Sequence, residues 1–396
     1  MRYASLVQRT GGPGAAAWDI HHAAVEAHRS GKDVIFASVG DPDFSTPAPV
    51  TARAVEALMA GDTHYTDIPG RPVLREAVAH HLRERCGIPC APNNILVASG
   101  AQNALFGASL CLFEQGDEVI LLEPAYVTYE ATFGLTGAKL VRVGMSGESG
   151  FRLDSALLRQ AVTPRTRGIV FANPSNPTGV VMRADEISAV AAIAAEHDLW
   201  VVIDEVYASL VFERPHVSFA SLPGMAERTV TIGSLSKSHA MTGWRVGWVA
   251  GPELLIRHLE RLSLAMLYGL PGFVQEAAIT AFADYETVTA AMRSAYQRRR
   301  DIVVAALSQT PGLKVLVPEA GMFVLLDARS TGRPALDVAW SIFHETGVSL
   351  LDASAFGAAA HGFLRMTFAL GDDQLREASR RIDGFFRALP SARPEV

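Results

Sequence analysis

Through the middle of the chain, short apolar runs rich in β-branched residues alternate with helical patterns, and nearly every run stops at a polar cluster. Asn94 to Ala98 runs into Ser99-Gly100-Ala101-Gln102, and Val119 to Leu122 reaches Glu123-Pro124-Ala125-Tyr126. Gly168 to Ala172 leads into Asn173-Pro174-Ser175-Asn176-Pro177-Thr178-Gly179. Trp200 to Ile203 ends at Asp204, and Thr229 to Ile232 is followed by Ser234 and Lys237. Unbroken apolar runs of this length read as strands of a parallel sheet covered on both faces by helices. Ligands of such sheets sit beyond the carboxyl ends of the strands, so five segments far apart in sequence are expected to meet at one crevice.

The same alternation predicts two units. The strand and helix pattern from about Thr46 to Asp284 forms a larger α/β domain, residues 46–284, with a mostly parallel sheet between helices. A helical pattern over Tyr285 to Leu307 follows, then strand-like runs at Val315 to Val317, Phe323 to Leu326, Gly347 to Leu351 and Leu364 to Phe368, and a last helix from Asp373 to Leu389. This mixed stretch reads as a smaller α+β domain, residues 285–396, packed with an N-terminal segment, residues 1–45, that holds a helix and a lead strand. A chain of 396 residues exceeds what one compact core holds, which agrees with two units.

The chemistry concentrates in Ser234-Leu235-Ser236-Lys237-Ser238-His239-Ala240-Met241-Thr242-Gly243-Trp244-Arg245. A lysine amine forms a Schiff base only when neutral, and burial beside cations lowers its pKa enough for that. Ser234, Ser236 and the planar fork of Arg245 suit a phosphate dianion, so the run fits a phosphate-bearing aldehyde cofactor anchored on Lys237. Ser99 to Gln102 opens a helical pattern over Gln102 to Cys111, whose free N–H groups and dipole receive a phosphate. Asp204 suits a protonated ring nitrogen, and strand alternation turns Glu205 the other way, into a structural role. Asn176 and Tyr207 suit a phenolic oxygen, and Tyr126 a ring face.

As a set, these residues resemble the class I aminotransferases, pyridoxal-phosphate enzymes of fold type I. The likeness runs from Val39-Gly40-Asp41-Pro42-Asp43-Phe44 through His64-Tyr65-Thr66-Asp67-Ile68-Pro69-Gly70 and Leu74-Arg75-Glu76-Ala77. It continues through Asn173 to Gly179, Asp204-Glu205-Val206-Tyr207 and Ser234 to Gly247, and ends at Phe363-Leu364-Arg365-Met366. The resemblance implies that Lys237 carries the cofactor and shuttles protons, that Asp204 pairs with the pyridinium, and that Asn176 and Tyr207 contact the phenolate. It implies a phosphate held by Ser234, Ser236, Arg245 and the turn Gly100, Ala101, Gln102, with Tyr65 reaching in from a second subunit of a homodimer. Arg365 resembles the clamp for a substrate α-carboxylate, Asn176 lies beside it, and Gly40 marks a close backbone approach to substrate or a plain turn. Gly321 carries the same pair of readings.

Aspartate-specific relatives place a lysine where this chain has Gln102, so an acidic donor side chain is disfavoured. Over longer stretches the chain is most similar to bacterial arginine-pyruvate aminotransferases, in Trp18-Asp19-Ile20-His21, Tyr126-Val127-Thr128-Tyr129-Glu130, Leu222-Pro223-Gly224-Met225, Ser236 to Val249 and Met266-Leu267-Tyr268-Gly269. Ping-pong transfer from arginine to pyruvate is therefore expected, with Asp19 facing the guanidinium and Tyr268 lining the pocket or packing. His21 and His22 read as helix-surface or interface residues. Other donors, aspartate, aromatic or neutral, and β-elimination from a sulfur amino acid are the alternatives, because the anchoring residues are shared. A transcription regulator on the same scaffold needs an added DNA-binding segment, for which the stretch before Gly40 leaves no room.

A formal net charge of −6 without a long single-sign block argues against a nucleic-acid partner, and no apolar run reaches spanning length or forms a leader, so a cytoplasmic protein is expected. Cys86, Cys90 and Cys111 do not make a disulfide framework and suit a reducing compartment. A zinc site at His80, His81, Cys86 and Cys90 is disfavoured, since adjacent helical histidines diverge and the cysteine spacing is loose; no metal is expected.

Overall fold

The computed structural model describes residues 2–10 and 18–389. Its strands, in chain order, are β1 (Ile35–Phe36), β2 (Ile95–Ala98), β3 (Glu118–Glu123), β4 (Lys139–Gly144), β5 (Thr166–Ala172), β6 (Trp200–Asp204), β7 (Thr229–Ser234), β8 (Gly247–Ala250), β9 (Lys314–Leu316), β10 (Phe323–Asp327), β11 (Val348–Ser349), β12 (Leu351–Asp352) and β13 (Phe363–Thr367). Seven of them form the main sheet in the order β2-β8-β7-β6-β5-β3-β4. Every adjacent pair in it is parallel except those made by β8, which is antiparallel to both β2 and β7.

β4 and β8 are the two strands that the apolar pattern does not announce. β4 is an edge strand whose side chains are mostly exposed or half-buried, so it lacks an apolar run. β8 is four buried residues directly behind the lysine segment, too short to separate from it by pattern. The run Gly347 to Leu351 divides: β11 pairs in parallel with β1, and β12 pairs antiparallel with β13. β13 and β10 pair over five positions, and β9 closes the four-stranded sheet β12-β13-β10-β9.

The helices start and stop where local chemistry permits. Pro72–Cys86 opens on a proline, whose missing N–H has no partner in a first turn anyway, and closes at Gly87 with φ +67°. Ser155–Ala161 is capped by Asp154, which accepts from the N–H groups of Ala156 and Leu157. Asp372–Ala388 carries Asp372 and Asp373 in its first turn and Arg387 in its last, matching the helix dipole. Its apolar face, with Leu375, Ile382 and Phe386, shares one buried cluster with Ile20, Ala24 and Ile35 from the start of the chain and with Leu325 and Leu364 of the smaller sheet.

Arg299, on helix Tyr285–Leu307, ties these distant segments together. It makes two 2.7 Å bonds to the carboxylate of Asp43, reaches Asp372 at 3.4 Å, and lies 4.9 Å over the ring of Phe44. Both carboxylates keep about a third of their surface in water, so losing the arginine does not strand a fully buried charge. Arg299→Ala is therefore expected to lower unfolding free energy by about 2 kcal/mol in urea denaturation, and Arg299→Lys to recover less than half, because a single ammonium cannot keep both planar bonds. Full recovery by lysine would show that charge alone holds the contact.

Candidate active site

Lys237 stands on a single helical turn, Leu235–Ser238, just past β7. Ser234 caps that turn: its Oγ accepts from Ser236 N–H at 3.0 Å, and it lies 2.8 Å from both Val246 O and Ser236 Oγ. Lys237 Nζ donates to Gly40 O at 2.7 Å. Burial pushes its amine down to about 8, with Arg365 and Arg245 pushing the same way and Asp41 and Asp204 opposing them.

The amine opens into a cavity of about 420 Å³. Gly40, Ala101, Gln102, Tyr126, Asn176 and Asp204 line it, as do Tyr207, Ser234, Ser236, Arg245 and Arg365, so the strand-end clusters do meet. Strand pairing explains the convergence: Ala172 of β5 is level with Asp204 of β6, and Asp204 with Ile232 of β7.

One end of the cavity is an anion cradle. Helix Gly100–Leu112 begins there, so the N–H groups of Ala101 and Gln102 have no partner within the helix. Arg245 has φ +57° and anchors its guanidinium on Thr242 O at 2.7 Å and Ser99 O at 3.4 Å. That guanidinium lies on Gly100, whose φ is +77°; a Cβ there would come within 2.3 Å of Arg245 Nη2. Glycine is thus required twice over, by backbone conformation and by the close approach of the cation. Gln102 points its amide at two hydroxyls, donating to Thr132 Oγ1 and accepting from Thr128 Oγ1, each at 2.7 Å.

Asp204 lies buried in the wall; Tyr129 Oη–H donates to its Oδ2 at 2.7 Å and Val206 N–H to its Oδ1 at 3.1 Å. Burial raises its pKa, opposed by those two bonds and by Lys237. Glu205 does face away: Ser218 Oγ lies 2.9 Å from each of its oxygens, Phe219 N–H donates at 3.2 Å, and burial pushes its carboxyl up to about 8.

Arg365 is 2% exposed and has no carboxylate partner among the described residues. Its guanidinium donates to Ser38 O at 2.7 Å and Asn176 Oδ1 at 3.2 Å, lies between the rings of Phe323 and Phe356 at 4.1 and 4.8 Å, and leaves Nε unbonded. Burial brings it down to about 10. An unpaired buried cation at a cavity wall is costly, and an incoming carboxylate removes that cost. Gly40 allows the arrangement, because a Cβ on it would sit 2.1 Å from Phe323. Its close approach is thus to that ring.

Two expected residues lie outside the cavity wall. Tyr65 is 87% exposed, with its ring 4.6 Å from that of Tyr268. Asp19 is exposed on the first turn of helix Asp19–Arg29, while its neighbour Trp18 lines the cavity. Asp41, Trp18, Tyr129 and Phe323 line the wall without having been singled out as site residues. Asp41 sits inside a quoted motif, so only the direction of its side chain was missing. Tyr129 likewise sits inside the stretch Tyr126 to Glu130, and there too only the direction of the side chain was missing.

Residues 32–382 match the family described as aminotransferase class I and II. The chain belongs to that family. The enzyme is 49% identical, over 96% of its length and 97% of the relative's, to the arginine-pyruvate transaminase of Pseudomonas aeruginosa. It is 35% identical over 93% of its length, and 94% of the relative's, to the aspartate/prephenate aminotransferase of Thermus thermophilus. Among solved structures, the Thermus thermophilus aspartate aminotransferase with maleate superposes with a TM-score of 0.92 at 34% identity, covering 98% of this chain and 100% of that one. The fold is thus that of the fold type I aminotransferases.

The chain has only four lysines, and Lys32, Lys139 and Lys314 are exposed. With the amine of Lys237 pushed down to about 8, half of it is neutral near that pH and the neutral fraction levels off about one unit higher. Labelling of the ligand-free enzyme by an amine-directed reagent, read by peptide mass spectrometry, should level off about one unit above pH 8 at Lys237, with the three exposed lysines as the comparison. A shared profile would remove the case for a desolvated amine.

Proposed function

We propose that this aminotransferase uses pyridoxal phosphate and moves the α-amino group of L-arginine to pyruvate in two half-reactions, as a cytoplasmic homodimer. The observation that carries the cofactor reading is one cavity holding a desolvated amine, a buried carboxylate and an anion cradle built on a helix N-terminus. Pyridoxal phosphate supplies an aldehyde for amines and a ring that delocalises the electrons freed at the substrate α-carbon.

The chain's residues do the rest. Arg245 and the first-turn N–H groups hold the phosphate, while Asp204 keeps a proton on the ring nitrogen. Asn176 and Tyr207 hydrogen-bond the phenolic oxygen, and Tyr126 packs against the ring. Arg365 takes the α-carboxylate of donor and acceptor alike, fixing which bond at the α-carbon faces Lys237. Lys237 Nζ would take up and return the substrate's α-proton.

The relative named for arginine and pyruvate supports that substrate pair. A neutral Gln102 in the wall agrees, since it offers no charge to an acidic side chain. One carboxylate, that of Asp41, lines the wall, and Asp19 is the exposed neighbour of the wall residue Trp18. In a donor screen with pyruvate and 2-oxoglutarate, arginine with pyruvate should give the highest kcat/KM. Asn at the position that bonds the guanidinium should lower the arginine value by about 1.5–3 kcal/mol in transition-state terms and leave alanine unaffected, whereas Arg365→Ala should weaken every donor. Preference for aspartate or an aromatic donor would reject the substrate pair and leave the family unaffected.

Exposed Tyr65 supports the dimer, as a residue completing the partner's phosphate site. Mixing Lys237→Ala with Tyr65→Ala protein should restore activity to a fraction of the dimers, because one site of each mixed pair then combines intact residues. No restoration after subunit exchange, or an active monomer in sedimentation, would remove the shared site.

A further inference from the structure

Asp204 has a partner to which the reaction above gives no task. Tyr129 opens the short helix Tyr129–Gly134, is 1% exposed, and donates its hydroxyl to Asp204 Oδ2 at 2.7 Å. With Val206 N–H on Oδ1 at 3.1 Å, each carboxylate oxygen has one fixed donor. The remaining lone pairs are left for whatever the cavity holds.

Packing does not explain the hydroxyl. The ring of Tyr129 meets Tyr126 and Phe133 edge-on at 5.9 and 6.0 Å, contacts that a phenylalanine would keep. The other ionisable groups around Asp204 are Lys237, Tyr126, Tyr207 and Glu205, and none of them hydrogen-bonds its carboxylate. Burial and the neighbouring carboxylate hold the Tyr129 phenol well above its ordinary pKa, so it remains a donor throughout the working pH range.

We propose that Tyr129 is a positioning residue whose hydroxyl keeps the shared proton of the Asp204 and ring-nitrogen pair on the nitrogen. This rests on the pyridoxal-phosphate reading. In a buried pair the proton resides on the more basic partner, and each donor to a carboxylate lowers its basicity. Removing the Tyr129 donor leaves burial to raise the basicity of Asp204 with only the Val206 bond and the charge of Lys237 to oppose it. The proton then moves toward the Asp204 carboxylate, the ring nitrogen becomes neutral, and its pull on the electrons of the substrate α-carbon weakens. No atom is gained or lost; one proton changes its owner along one hydrogen bond.

The test uses holoenzyme reconstituted with cofactor labelled with ¹⁵N in the ring. In Tyr129→Phe the ring ¹⁵N resonance should move toward the unprotonated value, and the pH midpoint of the bound cofactor's visible band should rise by about half to one pH unit. The melting temperature should change little, and kcat should fall by about tenfold with a smaller change in KM. Replacing Tyr129 with 3-fluorotyrosine, a stronger donor of nearly the same size, should move the resonance and the midpoint the opposite way, and serves if the phenylalanine variant folds poorly. In an Asp204→Asn background, Tyr129→Phe should no longer change the resonance. An unchanged resonance and midpoint in both Tyr129 variants, with a protonated nitrogen in the wild type, would overturn the role of Tyr129 alone. A wild type that shows no cofactor band would overturn the cofactor reading and this inference with it.

Discussion

The in-register parallel pairing of β5, β6 and β7 is the constraint on which the rest of the site depends. It puts Ala172, Asp204 and Ile232 level, so the residues just beyond them open into one cavity. A slip of one residue in β6 would exchange the faces of Asp204 and Glu205. The carboxylate turned to the cavity would then be turned to Ser218 and Phe219, and the reverse. Both faces of this sheet are buried, by clusters around Leu121 and Val202 on one side and Ile169 and Ile203 on the other, so a slip has no apolar face to gain. Bulk packing of Val and Ile side chains thereby fixes the position of a single charge.

Around that carboxylate the chain assembles groups that each cost stability in the ligand-free protein. Among the described residues Arg365 is a buried cation without a counter-charge, and Lys237 is an amine desolvated beside two more cations. Such groups are tolerated because neighbours satisfy them partially: Ser38 O and Asn176 for Arg365, with two aromatic rings on its faces, and Gly40 O for Lys237. What Arg365 still lacks is a counter-charge, which a carboxylate ligand would bring. Preorganisation here means that the protein already holds the electrostatic tension that substrate relieves.

The smaller sheet and the N-terminal segment supply the second wall. Arg365 comes from β13, Phe323 from β10 and Gly40 from the stretch after β1. Arg299 bonds Asp43 close behind Gly40 and Asp41, which ties the entry of the wall to the last helix through Asp372. The donor-side residues Trp18, Asp41 and Phe323 therefore depend on packing in a different core from the one that positions Asp204 and Lys237.

Much was legible in the linear order of residues. Apolar runs ending in polar clusters reveal strands and the edge at which they discharge their functional groups, because strand burial and strand direction are both written in local pattern. The alternation of side chains was enough to separate Asp204 from Glu205, and the polar turn Ser99 to Gln102 marked the opening of a helix at a strand end. The edge strand β4 escaped because it has no apolar run, and β8 because its four residues merge with the lysine segment just before them. Tyr129, Trp18 and Asp41 escaped as site residues for a different reason: their place depends on which way a loop or helix turns after its last patterned residue, and Asp19 shows that one position along a helix separates wall from solvent. Local chemistry along the chain thus determined what kind of residues would meet and at which end of the sheet. Which tyrosine touches Asp204, and which carboxylate lines the cavity, was decided only by the packing of segments distant in sequence, where contact is set by three-dimensional distance and leaves no periodic trace.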